Sequence, residues 1–333
     1  MVEKNKYIKF IKIPELNNPY LIAGWPGMGL VAIKSVEYLI YKLKSIKFAE
    51  LSGKEFFSPS EVTIIDNEIQ IPSYPVGEFY YHKTNKDNDL IFFKCSAQPE
   101  LNKNYEYAKV IIEESINLNI RRIYTFAAMP ISVTYQQNLG VWVTATEKKL
   151  LHGLKQNYNV KIMDTGKISG LNGLLLGVAK EYNIEGICFL GELPFYTVQM
   201  ENPETSLAVL KVLSDHIQLD LDLTELEYEA KMMKQRIETF FEFLDLDKLQ
   251  QIFQPENKNE IISDETFQKI VDIDRKIDPK IKEKIEKYFN EAKKDISKAK
   301  QLKEELDKLG VYKEYEDRFL DLFRPKDKDN KHQ

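Results

Sequence analysis

The chain has 333 residues, 43% of them hydrophobic, with 47 basic and 52 acidic side chains and a net charge of −5. That length accommodates a sizeable buried core without a metal or disulfide staple. The acidic balance argues against a phosphate-tracking nucleic-acid surface, and no run of 18 apolar residues proposes a membrane span. The first twelve residues alternate lysines with apolar residues and lack a signal-peptide core. Cys95 and Cys188 lie in apolar strand-like runs, a pattern of reduced core cysteines in a cytoplasmic protein.

Charge density divides the chain. Residues 1–220 hold 47 charged side chains and the shorter segment 221–333 holds 52. The reading is therefore an α/β domain over 1–220, a charged helical arm over 221–325 and a disordered tail over 326–333.

In chain order, Pro19–Ala23 reads as a buried strand. It runs into Gly24-Trp25-Pro26-Gly27-Met28-Gly29 and then a helix over 30–43 with apolar spacing 32, 33, 36, 39, 40, 43. The three glycines suit a structural turn, an anion-binding turn, or a turn that presents Trp25, Pro26 and Met28 to a partner. The spacing GxxGxG, with no GK[ST] following, is no nucleotide fingerprint. Residues 46–57 give a strand and loop ending in Phe56-Phe57-Ser58-Pro59. Two alternating arms around Asp66-Asn67 give a β-hairpin over 61–71. Strands are predicted at 89–95, 122–128, 141–146, 159–163 and 185–190, with helices at 105–118, 147–156, 174–182 and 206–217. This alternation implies a mostly parallel or mixed sheet covered on both faces. The Gly/Pro loops at 24–29, 128–130 and 191–194 would then share the crevice at the strand ends.

In the arm, Leu226, Ala230, Met233, Ile237, Phe240 and Leu244 follow a 4-3-4-3-4 heptad rhythm. A second stripe runs from Ile285 to Leu309, interrupted at Asp295. Two long helices are expected, about 225–250 and 279–309, packing on each other, on the core or on another subunit. Short helices are expected near 265–271 and 312–323.

Catalytic signatures are sparse. His82, His152, His216 and His332 stand in no metal-ligand frame, and Ser58, Ser60 and Ser132 have no base in sequence reach. His152 and His216 are expected to face solvent or a groove. Glu192, at a strand end, is the best-placed carboxylate. Rigid aromatics beside Pro and Gly at Phe56-Phe57 and Pro194-Phe195-Tyr196 would make efficient interface anchors or line a small-molecule pocket.

Four segments in order carry a resemblance: Gly24 to Gly29, Lys54-Glu55-Phe56-Phe57, Gly191-Glu192-Leu193-Pro194-Phe195-Tyr196, and Asn202-Pro203 with Ser206 to Leu213. Over about 15–245 the chain resembles the PAC2 family, the proteasome assembly chaperone 2 group, in its archaeal form. The resemblance implies a nucleoside-phosphorylase-like three-layer α/β sandwich, homo-oligomers, and a non-enzymatic, cofactor-free role in which the loops at 24–29, 56–59 and 192–197 bind proteasome α-subunits. Two other readings stay open: an enzyme or sensor holding an anionic or nucleoside-like ligand in the crevice, and a structural homo-oligomeric scaffold bridged by the arm.

Overall fold

The structure, a computed structural model, describes residues 6–59, 62–132, 137–158, 160–243, 279–308, 315 and 318–323. The expected helix at 265–271 and tail at 326–333 lie outside the described residues. The chain forms two compact units, Met1–Glu238 and Thr239–Gln333. The rise in charge near residue 221 thus falls inside the first unit.

The first unit is built on a nine-stranded mixed sheet, in the order β1 (Ile8–Phe10), β3 (Ile46–Leu51), β6 (Gly77–His82), β7 (Leu90–Lys94), β2 (Tyr20–Gly24), β8 (Arg122–Ile131), β11 (Glu185–Pro194), β9 (Val141–Ala145), β10 (Lys161–Ile162). The four central strands β7, β2, β8 and β11 are parallel, and the flanking pairs β1–β3, β3–β6, β6–β7 and β9–β11 are antiparallel. Two-residue alternation sends strand residues to opposite faces. Leu21, Ala23, Ile91, Phe93 and Ile123 meet α2 (Asn104–Asn117) and α4 (Leu171–Glu181) in one core. Ile22, Phe92, Tyr124, Phe126 and Phe189 meet α1 (Val31–Lys42), Leu154 of the short α3 (His152–Asn157) and α5 (Pro203–Ile217) in the other. The sandwich of helices and mixed sheet agrees with the sequence reading.

Several elements depart from it. β1 and β6 were not anticipated, and His82 ends β6. β8 and β11 do not stop at residues 128 and 190. They run on as a paired ribbon to Ile131 and Pro194, in unbroken register from Arg122↔Glu185. An ion pair at 2.6 Å between Arg122 and Glu185 fixes its start.

His216, expected at solvent or a groove, stands on α5 within 5.8 Å of Tyr124, 5.9 Å of Tyr158 and 6.2 Å of Phe189, ring centre to ring centre. Burial, assisted by the Arg122 charge, lowers its pKa to about 4. Because the unfolded chain then binds the extra proton between pH 6.5 and 4, stability contributed by neutral His216 is present above that window and lost as pH falls through it. Thermal midpoints measured across this range should fall for the native chain, and His216→Phe should flatten that part of the profile.

The helix α6 (Thr224–Phe243) belongs to the first unit as far as Glu238. Leu226 joins the α1/α5 core, Ala230 is buried, and Met233 and Ile237 are half-buried. The first part of the heptad stripe is thus used within the chain. Lys42 to Glu225 (2.9 Å) and Lys211 to Glu227 (2.7 Å) flank it. Positions 244–250 lie outside the described residues.

The second unit holds α7 (Pro279–Lys294) and α8 (Ala299–Lys308). The predicted single helix over 279–309 is therefore two, joined by a 3₁₀ turn over Ile296–Lys298. The break falls at Asp295, where the apolar rhythm failed. Ile285, Phe289, Ala292, Ala299, Leu302, Leu306 and Phe319 form its core. Arg318 clamps Glu286 with bonds of 2.5 and 2.6 Å and lies over the Phe289 ring at 4.3 Å.

Candidate functional site at the strand ends

The parallel block ends on one edge of the sheet. β3 runs antiparallel to β6 and β6 antiparallel to β7, so β3 ends on the same edge. Segments 24–30, 52–59, 62–76, 95–103 and 195–202, together with the tips of β8 and β11, therefore gather there.

The glycine loop is pinned from three sides. The Trp25 amide donates to Asn172 Oδ1 at 2.9 Å and Asn172 Nδ2 donates to the Trp25 carbonyl at 3.2 Å. Gln98 Nε2 donates to the Pro26 carbonyl at 2.7 Å, while Gln98 Oε1 accepts from the Leu171 amide at 3.0 Å. The Gly29 amide donates to the Val198 carbonyl at 2.8 Å and its carbonyl accepts from the Asn202 amide at 2.9 Å. Gly29 has φ 63°, where L-residues are strained. A Cβ on Gly24 would stand 2.5 Å from the Ala32 carbonyl oxygen, so this glycine lets α1 close on β2. Of the readings open for the glycines, these contacts match a structural turn. The Leu171 amide at the start of α4, a place where an anion would sit, is already used by Gln98.

The loop after β11 is equally fixed. Asn202 caps α5 by accepting from the Thr205 amide at 2.9 Å. Its Nδ2 donates to Thr197 Oγ1 at 3.0 Å, and Thr197 donates to the Pro194 carbonyl at 2.9 Å. Thr205 Oγ1 donates to the Glu192 carbonyl at 2.8 Å.

Glu192 is a strut. Its buried carboxylate accepts from the Gly140 amide (2.7 Å), Trp142 Nε1 (2.8 Å) and Lys161 Nζ (2.6 Å), tying β11 to β9 and β10. Burial raises its pKa, but the Lys161 ammonium and the two N–H donors outweigh that and hold the group below its ordinary range. A carboxylate so fully bonded is poorly placed to shuttle protons.

Beside the rim lies an open crevice of about 510 Å³, lined by Phe57, Ser58, Tyr74, Ser96, Gln98 and Glu100 among others. The structure gives Ser58 the acidic neighbour that sequence spacing could not show: its hydroxyl donates to the Glu100 carboxylate. Activation of a serine usually takes an imidazole or an amine, and the lining residues include neither. Among the described residues no group of three or more His, Cys, Asp or Glu stands at metal-binding spacing.

The expectation that the rim aromatics are displayed holds for one of them. Phe195 is 45% exposed and Met28 46%. Trp25, Phe56, Phe57, Pro194 and Tyr196 are buried, Pro26 is half-buried and Gly27 is exposed. Trp25 packs at 5.2 Å on Phe93. Phe56 meets Tyr107 at 4.9 Å and Tyr7 at 5.1 Å. Tyr196 and Pro194 face Met233 and Ile237 of α6 across a small gap. The glycine and proline turns fold these rings back over the open end of the core, where burying them is worth more than displaying them. Apolar exposure missed in sequence sits at Leu101 and on the hairpin β4 (Ile64–Ile65)/β5 (Glu68–Ile69). Its alternation was visible, but the absence of a covering layer was not.

The PAC2 family profile matches residues 21–240, which spans the whole sheet from β2 onward, its helices and most of α6. The chain belongs to the PAC2 family. It is similar to the uncharacterised protein MJ1210 of Methanocaldococcus jannaschii, at 30% identity over 231 residues, covering 69% of this chain and 86% of that one. The PAC2 fold here is also similar to Pyrococcus furiosus PbaB, an archaeal proteasome activator (TM-score 0.61, 28% identity, 70% of this chain and 97% of that one). Pyrococcus furiosus PbaA, an archaeal homologue of proteasome-assembly chaperone, shares the fold (TM-score 0.56, 22% identity, 77% and 100%).

Proposed function

We propose that this PAC2-family protein is a non-enzymatic, chaperone-like factor that docks proteasome α-subunits on the edge where its parallel strands end. One observation carries the reading: Met28 and Phe195 are half exposed on two loops tied to each other by the Gly29–Val198 and Asn202–Gly29 backbone hydrogen bonds. Apolar side chains held by a rigid frame bind with little ordering cost. Family membership and the likeness to PbaB support the choice of partner. Two buried, unpaired cysteines fit a reducing compartment such as the cytoplasm. Among the described residues no helix is long and apolar enough to cross a membrane.

The test is binding of purified α-subunits by the full chain. Met28→Ser with Phe195→Ser should weaken it about tenfold or more, as loss of two central anchors does. Tyr41→Ser, on exposed α1 surface, should leave it unchanged. Equal binding by all three proteins would reject the rim. The crevice suggests a small-ligand alternative, but Glu100 disfavours the anionic class expected for it. Thermal shifts with nucleotides should therefore stay flat.

A further inference from the structure

Resting on the docking role above, we infer that the open crevice beside the rim receives a basic side chain, lysine or arginine, of the protein docked on this edge. Glu100 is the crevice's acidic group, and none of the residues lining it is basic. The Glu100 backbone is fixed on both sides. Its amide donates to the Phe56 carbonyl at 3.0 Å, and its carbonyl accepts from the Lys103 amide at 2.8 Å. The Ser58 hydroxyl donates to one carboxylate oxygen. That bond sets the direction of the carboxylate and leaves its second oxygen open. Among the described residues no lysine or arginine forms an ion pair with Glu100; Lys103, three residues on, pairs with Glu106 at 3.7 Å. The start of α2, four residues on, favours an acid at this point but does not neutralise one. A half-buried carboxylate without a counter-charge attracts a cation.

The lining selects which cation. One carboxylate is too few ligands for a divalent metal, and among the described residues no group of three or more candidate ligands stands together. Phe57, Tyr74 and Pro99 give the crevice an apolar side, while Ser58, Ser96 and Glu100 give it a polar one. A lysine or arginine side chain divides in the same way, into an aliphatic stem and a charged head. Aromatic rings add an attraction for the head at their faces. A space of about 510 Å³ is ample for such a side chain. The docked protein is the source because the crevice continues its contact surface. Gln98 is part of the crevice wall and also holds the Pro26 carbonyl at 2.7 Å, two residues before the exposed Met28. A partner seated on Met28 therefore lies alongside the crevice mouth.

Binding of purified α-subunits by the full chain, measured over a range of salt concentrations, tests this. Glu100→Gln keeps an oxygen for Ser58 and should leave the thermal midpoint in place. It should weaken binding about tenfold at low salt, with the gap from the wild type closing as salt rises. Glu100→Lys should weaken binding by about a hundredfold, because like charges then meet. Glu113→Gln removes the same charge from the open side of α2 and should bind like the wild type. Unchanged affinity for both Glu100 variants, while Met28→Ser with Phe195→Ser weakens binding, would overturn the inference and leave the docking role standing. An equal loss from Glu113→Gln would also overturn it, since net charge alone would then be at work. No binding by the wild type would overturn both. Millimolar spermidine that raises the thermal midpoint of the wild type but not of Glu100→Gln, without competing with α-subunits, would make a free polyamine the occupant and overturn the assignment to the docked protein.

Discussion

Trp25→Ala is expected to destabilise the first unit by about 3–5 kcal/mol, the range for deleting a large buried aromatic. The indole is fully buried and packs on Phe93, while its backbone is held at both polar groups by Asn172. The cavity cannot close readily, because Gly24 and α1 are already in contact on one side of the loop. Urea unfolding followed by circular dichroism would read the loss as a lower midpoint at unchanged slope. Phe195→Ala, at a side chain nearly half exposed on the same rim, should cost less than about 1 kcal/mol. The contrast matters more than either value. If Trp25→Ala proved as mild as Phe195→Ala, the glycine loop would be presenting its tryptophan outward and the description of the rim would be wrong.

Glu192→Ala should cost about 3 kcal/mol, because it strands the Trp142 indole N–H and the Gly140 amide in a half-buried corner. Lys161 is more than half exposed and can return to water, so it adds little. The same carboxylate gives a pH signature. Its folded pKa is depressed, so its contribution is present above the unfolded carboxyl value and is lost as pH falls through the folded one. Glu192→Gln should therefore be less damaging than alanine and should show a shallower loss of stability below about pH 4. Equal stability of the glutamate and alanine forms at neutral pH would contradict the strut assignment. This acid limb lies below the His216 window, so the two effects separate along the pH axis.

The central sheet was legible because its strands carry apolar runs that helices must cover. The Tyr20–Gly24, Leu90–Lys94 and Arg122–Phe126 segments could hardly be anything else. Gly77–His82 was missed because Pro72 and Pro75 just before it read as a continuing loop, and because its aromatics face both a core and a charged sheet surface. There Lys47, Glu78 and Lys94 form a ladder of ion pairs at 2.5 and 3.5 Å, which only the assembled strands β3, β6 and β7 bring together. Periodicity located the apolar stripe of α6 but not its occupant, since Leu226 and Ala230 would show the same spacing against any neighbour. In the candidate site, the location was readable and the orientation was not. Loops have no period that says which side of the chain is buried. What turns Trp25 inward is Asn172, 147 residues later, and what covers Tyr196 includes Met233.

The most direct test of the account is site-specific photo-cross-linking to proteasome α-subunits. A photoreactive phenylalanine analogue would be placed at Phe195 in one protein and at Tyr41 in another, both positions being solvent-exposed. A covalent adduct with an α-subunit from position 195 and none from position 41 is the predicted result. Adducts from position 41 alone, or from neither position under conditions where the complex is recovered intact, would show that the strand-end edge is not the docking surface.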